Sequence, residues 1–280
     1  MKHSFATSVL ALGTLIAASF TACSSKPSDK SAGDASVGAD TLAFATTAVA
    51  DSASTAKGNK AVCRITLAVP TSGPKMLVDS IDAWVANALN TNGFQTYGRP
   101  TTSAPEAMSA VMDSARVLLA EVDGWGLEYP MTLEYTWDIK PVYVTDTLVS
   151  YSCFTYAFVG GAHGGSTFWA RTFSSPDGEQ LTWNSFNPGY EANLTPMVKK
   201  ALMEQYFKTD NADDFAAQIL ASPAQLPLPA QPPYVAADGV HFIYQQYEIA
   251  PYAAGMPECV LPFDAVAPLL KAPWPSRLPS

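Results

Sequence analysis

Apolar residues change their spacing several times along this chain, and each change marks an element. Residues 62–69 read as a strand, closed by Pro70-Thr71-Ser72-Gly73-Pro74. Leu77, Ile81, Trp84, Val85, Ala88 and Leu89 then recur at helical spacing and form one apolar stripe, which Asn92-Gly93 stops. A second helix opens at Ser103, with Glu106 at capping-box spacing, and aligns Met108, Val111, Met112, Ala115, Leu119 and Val122 on one face up to Gly124. Both stripes predict helices packed on a core.

From residue 132 the period falls to two. Leu133, Tyr135, Trp137 and Ile139 alternate with Thr132, Glu134, Thr136 and Asp138, the pattern of a half-buried antiparallel strand. Residues 142–144, a Thr145-Asp146 turn and residues 148–159 continue it as a hairpin. Strands at 168–173 and 179–181 flank Ser175-Pro176-Asp177-Gly178, which supplies the fixed φ and the permissive Gly of a tight turn. Leu194, Met197, Val198, Ala201 and Leu202 mark a third helix, and residues 213–220 a shorter fourth. Pro223, Pro227, Pro229, Pro232 and Pro233 deny the next segment either helix or central strand. A strand at 240–249, a short one at 259–261 and a helix at 263–270 close the chain. Near the other end, Leu42, Phe44 and Ala48 suggest an isolated first strand before a disordered-looking stretch at 51–59. Helices and strands come in blocks without a βαβ rhythm, so the expected class is α+β: an antiparallel meander sheet with helices packed on it. Two intimately associated subdomains are expected, 41–150 and 151–272, followed by a tail at 273–280.

The first 22 residues read as an export signal. Lys2 and His3 precede an apolar run from Val9 to Phe20 that is too short to span a bilayer. Phe20-Thr21-Ala22-Cys23 resembles a lipobox, with Phe where Leu is commonest, and makes Cys23 the expected site of lipidation. A plain signal peptide with an incidental cysteine is the alternative. Residues 23–40, rich in Ser, Ala, Gly, Asp and Lys, then serve as a flexible tether. The expected location is the bacterial cell envelope, anchored by lipid, on the periplasmic or surface face of the outer membrane.

Composition narrows the function. The formal charge is −9, from 16 Lys and Arg against 25 Asp and Glu, and one unit more negative without Lys2. Scattered basic residues exclude nucleic acid as a partner. Apolar residues make up 48% of the chain, enough for a sizeable core. Beyond Cys23 the cysteines are Cys63, Cys153 and Cys259, each inside a strand-like segment. Buried free thiols are favoured over one disulfide plus one thiol, and the spacing fits no zinc motif.

Two stretches stand apart: the loop Gly160-Gly161-Ala162-His163-Gly164-Gly165 and the run Tyr244-Gln245-Gln246-Tyr247-Glu248-Ile249-Ala250-Pro251-Tyr252 through Gly255. With Leu181-Thr182-Trp183-Asn184-Ser185-Phe186 between them, they form an ordered series. That series is similar to the extracytoplasmic domain of the anti-sigma factor RsiV and the accessory module of the peptidoglycan deacetylase PdaC. The likeness covers about residues 151–270 well, and more weakly the strand around Cys63, Pro70 and the helix through Ile81 and Trp84. It implies one α+β unit of a largely uncharacterised family of secreted proteins and lipoproteins, of which the RsiV branch binds lysozyme. The deacetylase's metal-binding catalytic domain has no counterpart in the sequence.

The candidate ligand-binding residues are Gly161, His163, Gly164, Tyr247, Glu248 and Tyr252. Four glycines around His163 allow close approach of a ligand to backbone, or equally serve a loop of positive φ that His163 caps by bonding main chain. His241 reads as a polar-face residue, and Glu248 as a locally bonded carboxylate or a buried acid-base group. Tyr244, Tyr247, Tyr252, Trp169 and Trp183 belong either to a binding face or to ordinary packing. There is no HExxH, Cys-His or GxSxG pattern, so no catalytic residue, metal ligand or cofactor is assigned. The expected function is a non-catalytic, RsiV-like envelope lipoprotein that binds a protein or glycan. A peptidoglycan-directed hydrolase and a lysozyme-binding sensor or decoy are the alternatives.

Overall fold

The structure is a computed structural model that describes residues 41–175, 177–220 and 222–279. The expected signal peptide and tether, with Cys23, lie outside the described residues.

The fold is α+β, with a five-stranded sheet, a three-stranded sheet and five α-helices among the described residues. Strand β1 (Ala43–Ser54) pairs antiparallel with β2 (Lys60–Ser72) along its whole length. The expected isolated strand is therefore one arm of a long hairpin, and of the stretch 51–59 that looked disordered the first four residues are strand and the rest is the hairpin turn. Its Ala, Ser and Thr side chains bury little, so the pairing comes from the partner strand and not from local pattern. Asn59 in the hairpin turn is buried; its Oδ1 accepts from Met131 N at 2.7 Å and its Nδ2 donates to Asp123 at 2.7 Å.

Helices α1 (Lys75–Leu89) and α2 (Ala104–Val122) follow, stripes inward as predicted. Ser103 caps α2 by accepting from Glu106 N, while the Glu106 carboxylate turns to the Thr101 hydroxyl, so only half of the capping box forms. The helices lead to β3 (Thr132–Val144), which lies parallel to β2. The sheet is thus not wholly antiparallel. A parallel pair needs a crossover, and two helices in series supply it without the βαβ rhythm that would have announced it. Strands β4 (Leu148–Phe158) and β5 (Gly165–Ser174) complete a meander in the order β1-β2-β3-β4-β5. Leu133, Tyr135, Trp137, Ile139, Tyr151 and Cys153 point from one face of this sheet into the helices. Trp84 meets Tyr151 and Phe173 edge-on, and Trp137 Nε1 donates to Thr91 O at 2.9 Å.

A second core gathers around α3 (Glu191–Gln205), α4 (Ala212–Gln218) and a sheet of β6 (Tyr234–Ala236), β7 (Gly239–Ile243) and β8 (Glu258–Leu261). Strand β6 was not foreseen in the Pro-rich segment; as an edge strand it begins just after Pro233, where a missing N–H costs nothing. Residues 240–249 do not form one strand, because β7 stops at Ile243. Residues 179–181 make a single bridge, Gln180 to Phe173. The expected terminal helix is α5 (Phe263–Val266) continued by a 3-10 turn at Ala267–Leu269, where Pro268 has no N–H to give.

Residue 150 falls inside β4, and the two cores divide nearer residue 174. Residues 273–279 are no loose tail. Trp274 is 1% exposed in the second core, with Nε1 donating to Glu179, and Arg277 donates to Asp177 and Glu179 at 2.6 Å each. Cys63, Cys153 and Cys259 are buried free thiols, as favoured, and burial pushes the Cys63 and Cys259 thiols up to about 12. No helix among the described residues is long and apolar enough to cross a membrane.

Candidate functional site

The glycine loop joins β4 to β5 at the end of the large sheet. Gly160 and Gly161 adopt φ of +105° and +92°, the left-handed side that side chains avoid. Gly164 and Gly165 serve contact instead: a Cβ on Gly164 would lie 2.5 Å from the Tyr156 ring, and one on Gly165 2.6 Å from the Phe94 ring. Aromatic rings thus sit where side chains would be. His163, between the two pairs, is held on three sides. Its Nδ1 lies 2.9 Å from Gly164 O, its ring stacks on Tyr252 at 3.7 Å between centroids, and its Nε2 is 3.3 Å from the Tyr247 hydroxyl. A carbonyl only accepts, so this geometry places a proton on Nδ1 and leaves Nε2 to accept from Tyr247.

The run from Tyr244 to Glu248 is a turn that closes the outer edge of β5. Strand β5 is last in its sheet, so the N–H and C=O groups of alternate residues face away from β4. Gln245 answers Phe168 with both ends of its amide, Oε1 accepting from N at 3.0 Å and Nε2 donating to O at 2.7 Å. Gln246 Oε1 accepts from Ser166 N at 2.9 Å. The side-chain amides stand in for a neighbouring strand. Glu248 tightens the turn, its Oε2 accepting from Gln245 N and its Oε1 from Ala230 N, each at 2.7 Å. This carboxylate is spent on backbone. Tyr247, at φ +66°, is thrown outward and is 54% exposed.

Of the six candidates, then, His163, Tyr247 and Tyr252 come together, Gly164 lies buried beneath them against Tyr156, Gly161 is exposed with open space beside it, and Glu248 works as a structural clamp. The remaining aromatic candidates are packing residues. Tyr244 is buried and donates to Pro227 O at 2.7 Å, Trp183 stacks on Tyr190 in the second core, and Trp169 packs on the first. His241 is a polar-face residue with two partners, Asp238 on Nε2 and Glu258 on Nδ1, both at 2.7 Å. No group of His, Cys, Asp and Glu that could hold a metal ion occurs among the described residues.

Beside the His163–Tyr252 stack opens a cleft of about 690 Å³. Its floor comes from the sheet face away from α1 and α2: Thr132 and Glu134 of β3, and Tyr156 and Phe158 of β4, with Glu134 directly opposite Phe158. The loop before β3 adds Leu127 and Tyr129, and Tyr129 is 75% exposed. Trp125 lies against Gly160 at the rim and is also exposed. No Lys or Arg lines the cleft, and nothing among the described residues pairs with Glu134, its one carboxylate. Sequence reading missed these residues. The one signal for them was alternation: with Leu133 and Tyr135 buried, Thr132 and Glu134 had to face the other side.

Residues 186–264 match a family model described as "Protein of unknown function (DUF3298)". No curated protein sequence matches the chain. Among solved structures, a member of the DUF3298 family from Bacteroides fragilis superposes with a TM-score of 0.69 at 19% identity, covering 85% of this chain and 98% of that one. A DUF3298 family protein from Pseudomonas aeruginosa PAO1 gives a TM-score of 0.60 at 18% identity, covering 86% and 99%. The chain is therefore similar to the DUF3298 family over residues 186–264 and has the fold of both these DUF3298 proteins.

Proposed function

We propose that this protein is an exported, lipid-tethered binding module of the cell envelope whose ligand, a protein or a glycan, docks at the ring-lined cleft. The observation that carries the reading is the interlocked trio of His163, Tyr247 and Tyr252 beside an open cleft. Exposed and partly exposed rings held by mutual contacts beside the sheet end present contact area at little entropic cost, as binding surfaces do. The two titratable candidates are engaged in holding the site together, His163 with Gly164 O and Tyr247, Glu248 with two backbone amides, which favours holding over transforming. The tether rests on Ala22-Cys23 and the polar run after it. An RsiV-like ligand would be a basic protein such as lysozyme, which a chain of net charge −9 attracts on approach.

The test has two arms. Membrane fractionation and mass spectrometry of the exported chain should find acyl chains on Cys23 and release of the Cys23→Ser variant into the soluble fraction. The purified chain, immobilised and offered envelope extract and lysozyme, should retain a ligand that Tyr252→Ala loses. Release of peptidoglycan fragments, or retention indifferent to Tyr252, would refute the reading.

A further inference from the structure

We infer that the cleft takes a neutral oligosaccharide, a run of pyranose rings free of carboxylate and phosphate; this rests on the binding-module reading and supplies the chemistry of the ligand. Four Tyr and Phe rings, Tyr129, Tyr156, Phe158 and Tyr252, line the cleft beside His163. Their faces suit the C–H faces of pyranose rings, which are flat, apolar and of matching size. On β3, beside the β4 rings, lie polar groups that sugar hydroxyls need. The Glu134 carboxylate has acceptor sites for two adjacent hydroxyls, and the hydroxyls of Thr132 and Tyr156 form no hydrogen bond among the described residues. A row of ring side chains beside a row of unpaired oxygens is complementary to a saccharide, which presents C–H faces and hydroxyl edges.

Charge selects within that class. No Lys or Arg lines the cleft, and its carboxylate sits in a chain of net charge −9, so an anionic polymer meets repulsion that no permanent cation of the lining offsets. A cationic peptide would find one carboxylate in a trough of about 690 Å³, far more room than a single ammonium fills and without the repeated acids that a basic segment calls for. The open form suits an extended chain that enters and leaves over the rim, where Tyr129 is 75% exposed.

Isothermal titration of the purified chain with hexamers of β-1,4-N-acetylglucosamine, β-1,4-glucose and α-1,4-glucose, beside α-1,4-galacturonate hexamer and hexalysine, tests this. At least one neutral hexamer should bind. Tyr129→Ala, an exposed site whose change spares the fold, and Tyr252→Ala should each weaken it about tenfold. Galacturonate should not bind the natural chain, and Glu134→Gln should weaken the neutral ligand and relax that exclusion. Failure of every neutral hexamer up to about 10 mM, binding of hexalysine or galacturonate alone, or binding indifferent to both tyrosines would overturn the inference. If the immobilised chain still retains an envelope ligand through Tyr252, the binding-module reading survives that failure; if it retains nothing, both fall.

Discussion

At the scale of single residues, the side chains that looked most reactive are the ones most occupied. Glu248 bonds two backbone amides, and His163 is fixed by a carbonyl, a hydroxyl and a stacked ring. His241 is the residue whose occupation titrates. Burial opposes its protonation, but hydrogen bonds and charge from Glu258 and Asp238 outweigh it and raise the imidazole above its ordinary 6.5. The bond from His241 in turn holds Asp238 below its ordinary 3.8. A raised histidine contributes stability that is complete below about 6.5 and is lost as pH rises through the raised value. A depressed aspartate contributes stability that is present above about 3.8 and is lost as pH falls through the lowered one. The contribution is therefore greatest between those values. Asp238 is 69% exposed, so solvent and salt screen its share. His241→Gln should cost about 1 kcal/mol near pH 5.5 and clearly less near pH 9, read from thermal unfolding across pH.

At the scale of elements, the turn after β7 replaces a strand. A further strand along β5 would have to supply a run of backbone partners in register; Gln245 and Gln246 supply them from two adjacent side chains and leave the chain free to reverse. This protects the edge of β5 from pairing with another molecule while keeping Tyr247 outside and beside His163. Loss of the Gln245 amide strands the Phe168 N–H and C=O in a part-buried place. Gln245→Ala should cost about 1–2 kcal/mol of stability, and hydrogen exchange should quicken at the Phe168 amide ahead of the amides that pair β4 with β3. The same logic explains β6: a Pro-rich approach is compatible with a strand only at an edge, and there the strand forms.

At the scale of the whole molecule, the last residues tie the two cores together. Trp274 fills the second core while its indole N–H reaches Glu179, and Arg277 clamps Asp177 and Glu179 in the turn after β5. That turn abuts α1, since a Cβ on Gly178 would meet Met76 O at 2.5 Å. The chain end thus reaches the first core through the turn. Trp274→Ala should lower the free energy of unfolding by about 3–5 kcal/mol, measured by denaturant titration, because it empties a large buried volume and frees the clamp.

The sequence by itself determined what local spacing encodes. The stripes of α1 and α2, the alternation of β3, the α+β class and the burial of three cysteines follow from which residues repeat at which interval, and each is found. His163, Tyr247 and Tyr252 were marked by their motifs, although nothing in those motifs states that the three touch. Tertiary structure alone decided the parallel pairing of β2 with β3, the capping of β5 by glutamine amides, and the cleft assembled from Tyr129, Glu134, Tyr156 and Tyr252. Periodicity reports which face of an element is buried. It carries no record of which distant side chain meets that face, because a hydrogen bond or a ring contact between remote residues is fixed only when the whole chain closes.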